Sequence, residues 1–256
     1  ALWLITGSLF ALCFAALGPL MLVASLLDGV RIARRDRRRA TAEEDTAWVR
    51  AGALLTQQHD DERAALRRSA PDAAACVQEP PLLSAEPVDS ATRVVLGTGA
   101  VDSRVRIGGG HGERAQQFRR QAAVVQDGPI SVALGRGICL RGPEHITKSA
   151  ARAILVQLCL RHSPRRLSLV GDGIPRVGMA EFPHAGRPGS GGWRVAVDRP
   201  GDEPVLADAR IHLCSQGETP PEGITTVIDC TEPRRAHLRT ATEIRQVSLE
   251  CLSREQ

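Results

Sequence analysis

Residues 142–149, GPEHITKS, have the length and the ending of a phosphate-binding loop, G-x-x-x-x-G-K-[ST]. In such a loop the backbone N–H groups surround the phosphates, the lysine neutralises their charge and the hydroxyl binds Mg²⁺. Gly142, Lys148 and Ser149 match the pattern, but Thr147 stands where the pattern has its second glycine. A β-branched residue enters positive φ only with strain, so we expect Thr147 to cap the following helix instead. We interpret the stretch as a degenerate, non-catalytic nucleotide site; weak nucleotide binding and a chance match are the alternatives.

A working site of this kind also needs a carboxylate at a strand end to hold the metal ion. Two apolar runs end in an aspartate, Asp172 after LSLVG and Asp229 in TTVID, and no acidic pair follows either of them. Asp172 is our candidate for a strand-end ligand. The seven histidines are dispersed, with only His145 inside the loop, and the seven cysteines show no zinc-like spacing. We therefore predict no catalytic residue and no metal site, and we assign the cysteines to packing in a reducing compartment.

The elements around the loop predict an α/β domain over residues 93–256. A strand, GICLR, precedes the loop, and a helix over 147–162 follows it and stops before Pro164. Most of the other strands lack apolar–polar alternation, which favours a largely parallel sheet covered on both faces. Beside residues 137–141, the predicted strands are 93–97, 104–108 (paired with 93–97), 130–134, 167–171, 193–197, 209–214 and 225–229, and a second helix is predicted over 112–126.

Residues 1–27 contain no charged side chain and predict a transmembrane segment. As a helix they would reach about 40 Å, more than the roughly 30 Å of a hydrocarbon core. A signal peptide is the rival interpretation, but its basic residues precede the apolar run, whereas here they follow it. The turn-forming residues 6–8 suit the outer end of a hairpin, so that 9–27 would be one complete span.

Six arginines follow this segment and predict its orientation: Arg31, Arg34, Arg35, Arg37, Arg38 and Arg39. Arginine close to a span stays on the cytoplasmic side, so we expect a plasma-membrane protein whose residues after about 30 are cytoplasmic. The cluster also attracts anionic lipid. The formal net charge is only +4, and 93–256 show no basic stripe and no helix-turn-helix pattern, so nucleic acid is not an expected partner.

The chain between the membrane end and the α/β domain divides into two parts. Residues 28–70 form a basic juxtamembrane and helical stalk, with a capping box of Thr41 and Glu44 at the start of its helix. Pro71 ends the stalk, and residues 71–92 form a proline-rich linker.

The stretch ITKSAARAILVQLCLRHSPRRLSLVGDG, residues 146–173, resembles the core of FtsK/SpoIIIE-type translocase ATPases. The order of the whole chain resembles the membrane-proximal part of the actinobacterial EccC/EssC-like branch, the motor ATPases of type VII secretion. Its parts are the span ending in GPLMLVASLLDGVRIARRDRRR, a helical stretch, VVLGTGAVDSRVRI, DGPISVAL and the degenerate core. In that branch two spans lead into a stalk and an ATPase-like domain without a complete nucleotide site, and competent ATPase domains follow.

This resemblance implies a degenerate P-loop, RecA-like domain that is not itself catalytic, in a parent motor that hydrolyses ATP. It implies nucleotide-site positions at Gly142, Thr147, Lys148 and Ser149, with no cofactor in this chain beyond residual Mg-ATP. The implied partners are membrane lipid, other secretion-channel subunits, downstream ATPase domains and further copies of the chain. The alternatives are a membrane-anchored subunit of an FtsK-like DNA translocase, a weak ATP-binding regulatory domain, and an independent nucleotide-binding enzyme.

Overall fold

The computed structural model describes residues 9–81, 83–84, 86–135, 137–186 and 192–253, with side chains from residue 21 onward. The chain divides into two compact units, Ala1–Gln57 and Gln58–Gln256. The two units are described separately.

The first unit is helical, and its helix belongs to α1 (Leu9–Ser69). Helix α1 continues through Thr41, whose hydroxyl donates to the carbonyl of Arg37 at 2.6 Å, so the predicted capping box is wrong. A threonine inside a helix satisfies its hydroxyl in this way on the preceding turn. The six predicted membrane-orienting arginines, Arg31, Arg34, Arg35, Arg37, Arg38 and Arg39, all lie exposed on α1.

The predicted span over residues 1–27 falls largely outside the described part of the chain. Residues 1–8 are not described at all, and the side chains of residues 9–20 are not described either. Across the residues that are described, we find no helix with both the length and the apolar character needed to cross a bilayer. The span therefore stays a prediction without support from the structure.

The second unit is built on a mixed nine-stranded sheet in the order β2-β1-β9-β8-β7-β3-β6-β5-β4. The strands are β1 (Arg93–Asp102), β2 (Val124–Ala133), β3 (Gly137–Arg141), β4 (Leu167–Val170), β5 (Trp193–Asp198), β6 (Ala209–Cys214), β7 (Thr226–Asp229), β8 (Ala236–Arg239) and β9 (Ile244–Leu249). The helices are the end of α1, α2 (Ala73–Gln78), α3 (Glu113–Ala122), α4 (Glu144–Arg161) and α5 (Gly173–Arg176), with a 3-10 turn at Pro233–Arg235.

The prediction of an α/β fold is confirmed, and the parallel sheet is confirmed for one half of it. Strands β7, β3, β6, β5 and β4 pair in parallel, whereas β2, β1, β9 and β8 pair antiparallel. The predicted strand at 104–108 is wrong: β1 pairs with β2, and residues 103–110 form an irregular loop. That loop contains Gly109 and Gly110 at positive φ, which breaks an extended run.

Helix α4 covers one face of the parallel half and forms the main core with it. Its residues Ile154, Leu155 and Leu158 are buried in the same cluster as Ile138 and Leu140 of β3. The connections 199–208 and 215–225, which follow β5 and β6, contain no helix. Irregular segments therefore join β5 to β6 and β6 to β7.

Two polar side chains, the fully buried Gln157 and the partly buried Glu250, fasten the flanking elements to the sheet. Gln157 of α4 accepts from the Val95 N–H at 2.9 Å and donates to the Val95 carbonyl at 2.8 Å, beside a bulge in β1. Glu250, just after β9, accepts from the N–H groups of Ala73 and Ala74 at 2.9 and 2.7 Å. Both contacts hold α2, α4 and the sheet in fixed register, so the loop at the start of α4 has a rigid base.

Candidate functional site

The predicted loop lies at the carboxyl end of β3, in the interior of the parallel half of the sheet. Gly142 follows β3 and donates its N–H to the Cys214 carbonyl at the end of β6, at 3.0 Å. It has φ 152°, and a Cβ there would lie 3.0 Å from the backbone of Cys230. Gly142 is therefore required by the turn out of the strand, whether or not a phosphate binds.

The backbone of the loop is helical from Glu144 onward. Helix α4 begins at Glu144, with Pro143 as its N-cap residue, so residues 144–147 form its first turn. The N–H groups of Ile146 and Thr147 both donate to the Pro143 carbonyl at 3.0 Å. A phosphate cradle needs successive backbone N–H groups that point at the ligand. Here helix formation consumes two of those donors.

Thr147 is a buried residue of the first turn and not a cap, so the prediction of its capping role is wrong. Its hydroxyl donates to the Glu144 carbonyl at 3.1 Å, and 1% of the residue is exposed. The phosphate-loop pattern predicts a helix that starts at Thr147, but the helix starts three residues earlier, at Glu144. Glutamate is favoured in the first turn of a helix, which is consistent with the earlier start. Ser149 donates its hydroxyl to the His145 carbonyl at 2.6 Å, so its proton is directed to the helix backbone.

Lys148 is held by a carboxylate of its own helix. Its Nζ lies 2.6 Å from Oε1 of Glu144, and the guanidinium of Arg199, just beyond β5, contacts the same oxygen. Lys148 first and Arg199 second lower the pKa of the Glu144 carboxyl to about 2. The carboxylate therefore stays ionised throughout the physiological range and engages the lysine that would otherwise meet a phosphate.

The candidate strand-end carboxylate, Asp172, is not brought to the loop. It is exposed and follows β4, which lies three strands from β3, a separation of about 14 Å at the usual strand spacing. Asp229 is the last residue of the neighbouring β7, but its carboxylate lies 2.5 Å from Nε of Arg141. Neither aspartate is placed to hold a metal ion at Ser149.

Sequence reasoning missed Asp198, which ends β5 and lies on the same sheet edge as the loop. Only β6 separates β5 from β3, and the side chain is largely buried and paired with the Arg210 guanidinium. The signal was present in WRVAVD, but the predicted strand stopped at Val197, one residue short. A basic residue, Arg199, occupies the next position.

These residues surround a small cleft at the carboxyl ends of β3 and β6. Its volume is about 220 Å³, below the roughly 300–1,000 Å³ of typical small-molecule sites. Connections from β3 and β6 leave in opposite directions here, which is where open α/β sheets bind ligands. Across the described residues no group of three or more His, Cys, Asp or Glu side chains is placed to hold a metal ion. The cleft is lined by Gly142, Glu144, Thr147, Arg199, Pro200, Leu213, Cys214, Ser215 and Glu218.

Comparison with known proteins gives a distant structural likeness. No family model matches the sequence, and no curated protein matches it. Among solved structures, the chain is similar to the cytoplasmic domain of the Thermomonospora curvata type VII secretion ATPase EccC, with a TM-score of 0.42 and 13% identity. The match covers 67% of this chain and 30% of that one. A likeness this distant carries no argument about function.

Proposed function

We propose that the chain is a membrane-anchored, non-catalytic module of an FtsK/SpoIIIE-type motor ATPase for type VII protein secretion. In this role it anchors the motor and either docks channel subunits or restrains the ATPase domain that follows. The resemblance of residues 146–173 to the translocase core supports the family assignment. The observation that carries the non-catalytic part is the helical backbone of residues 144–147.

Each group that phosphate chemistry requires already has another partner in the second unit. Lys148 is paired with Glu144, the Ser149 hydroxyl donates to its own helix, and Asp198 is paired with Arg210. Hydrolysis in this superfamily needs the lysine on the phosphates and a hydroxyl and an aspartate on Mg²⁺. Freeing all three at once would break two ion pairs and one hydrogen bond, so the proposal assigns ATP hydrolysis to other domains of the motor.

The proposed anchor is residues 1–27, with the six exposed arginines of α1 on the cytoplasmic surface of the plasma membrane. Each arginine near an anionic surface contributes about 1 kcal/mol of attraction. The proposed partners are anionic lipid, other secretion-channel subunits, downstream ATPase domains and further copies of this chain. The stalk, residues 28–70, would set the distance between the membrane and the α/β domain.

The test is a titration of Mg-ATP into the purified chain in detergent, together with an ATPase assay, using Lys148→Ala as the matched variant. We expect neither protein to bind or hydrolyse ATP. Turnover by the unmodified chain that is lost in Lys148→Ala would refute the non-catalytic assignment. Binding without turnover, lost in the same variant, would favour the weak ATP-binding regulatory domain.

One observation favours the DNA-translocase alternative. The loop after β1 and helix α3 carry five arginines and a single acidic residue, Glu113, over residues 104–120, a basic cluster that sequence analysis overlooked. The cluster consists of Arg104, Arg106, Arg114, Arg119 and Arg120. Arg106 and Arg119 already donate to carbonyls of this loop, those of Ser103 and Gly109, each at 2.6 Å. Salt-dependent binding of duplex DNA that disappears when Arg104 and Arg120 become glutamine would decide for DNA.

A further inference from the structure

Three charged side chains meet where a phosphate-binding loop would hold its ligand. Glu144 is the first residue of α4, Lys148 lies one turn further along, and Arg199 reaches the same carboxylate from beyond the end of β5. Two cations therefore face one anion. The amino terminus of an 18-residue helix adds roughly half a positive charge to this side.

We propose that this cleft is an anion-binding site whose occupant is the chain's own Glu144 carboxylate, standing in place of a phosphate group. The inference rests on the proposed function and deepens it, because it identifies what keeps the degenerate loop from taking up nucleotide. Lys148 and Arg199 are then ligand-binding residues whose charge is already engaged by this carboxylate. The chemical class that fits the emptied site is a phosphate or diphosphate, since two cations and a helix terminus exceed the charge of one carboxylate.

The tether explains why free anions would not compete. Glu144 and Lys148 are four residues apart on one helix, the spacing at which side chains are neighbours. A linked partner acts at an effective concentration of about 1 mM or more even through a flexible connection. A free phosphate group must displace this carboxylate before it can bind, so the Glu144 carboxylate competes with nucleotide without any steric block.

The decisive variant is Glu144→Gln, which keeps the shape of the side chain and removes its charge. Inorganic pyrophosphate is titrated by calorimetry into the purified full chain and into the variant. We expect saturable binding to the variant that is at least about tenfold tighter than to the original chain. Adding Lys148→Ala in the Glu144→Gln background should abolish it.

The matched control is Glu218→Gln. Glu218 lines the same cleft, but its carboxylate accepts from the Ser215 N–H at 2.5 Å and has no contact with Lys148. No gain of binding in Glu144→Gln, or an equal gain in Glu218→Gln, would overturn the inference. If only this inference is wrong, the unmodified chain still neither binds nor hydrolyses ATP. ATP turnover by the unmodified chain would instead overturn the proposed function.

A second measurement covers the case in which Glu144→Gln does not fold. Lys148 is the only lysine in the sequence, so reductive ¹³C-methylation labels one side chain and the α-amino group. Glu144→Asp keeps the charge but shortens its reach by one methylene. Pyrophosphate should move the Lys148 resonance in Glu144→Asp and leave it unchanged in the original chain. If the Lys148 resonance moves equally in both proteins, the Glu144 carboxylate does not keep Lys148 from binding pyrophosphate, and the inference is wrong.

Discussion

Replacing Gln157 by leucine tests how α4 is held over the sheet. The side chain is fully buried and makes two hydrogen bonds to the backbone of Val95, and its amide also donates to the Glu250 carboxylate at 3.5 Å. Leucine has nearly the same volume but neither donor nor acceptor, so the Val95 N–H and carbonyl would lose their partners. Each buried group left unsatisfied costs about 1–3 kcal/mol.

The extra apolar burial of leucine offsets about 1–2 kcal/mol of this cost. Taking about 2 kcal/mol for each of the two groups and the middle of the offset, we expect a net loss of about 2–3 kcal/mol in the free energy of unfolding. With a urea slope of about 2 kcal/mol per molar, the unfolding midpoint would fall by roughly 1–1.5 M. Circular dichroism during urea titration of the purified chain measures this shift.

The control for this prediction is Gln116→Leu on α3, where the glutamine is exposed. A surface substitution of this kind should change the free energy of unfolding by less than about 0.5 kcal/mol. If Gln157→Leu also stays within that range, the two hydrogen bonds to β1 do not fix the position of α4. The account of a rigid base for the loop would then be wrong.

Three further predictions concern the loop and its supports. Gly142→Ala should lower the free energy of unfolding by about 1–3 kcal/mol, because φ is 152° and the new Cβ would lie 3.0 Å from the backbone of Cys230. The control is Gly217→Ala, where the new Cβ meets open space and the same urea assay should show almost no change. Thr147→Gly restores the phosphate-loop pattern. It should cost at least about 1 kcal/mol, because it places a glycine in a helix and removes a buried side chain. It should confer no ATP binding in calorimetry, since Lys148 stays paired, and ATP binding would contradict a closed loop. Burial raises the pKa of the Glu250 carboxyl, so the folded state holds that proton more tightly than the unfolded chain does. The free energy of unfolding should therefore fall as pH rises from the ordinary glutamate range to the raised pKa. Urea titrations should show a flatter dependence of this free energy on pH in Glu250→Gln, and an unchanged dependence would refute the raised pKa.

Local patterns in the sequence were enough for the elements whose burial is continuous along the chain. The predicted bounds agree within three residues for strands β3, β5, β6 and β7 and for helix α4. Each of these elements contains an apolar run that must be buried whatever the topology of the sheet, so its position can be recognised from local sequence. Strands β8 and β9 were missed. β8 has four residues that alternate between buried and exposed, and in β9 only Val247 and Leu249 are buried, so neither strand carries an apolar run that stands out from a loop.

Some features of the candidate site were likewise predictable from the local sequence, and others were not. The order of residue types alone determined that GPEHITKS lies between a strand and a helix and that its pattern is incomplete at Thr147. Only the tertiary structure decided that Lys148 has a carboxylate partner shared with Arg199, which is 51 positions further along the chain. That contact depends on β5 lying two strands from β3, an arrangement set by long-range strand pairing that no local pattern encodes.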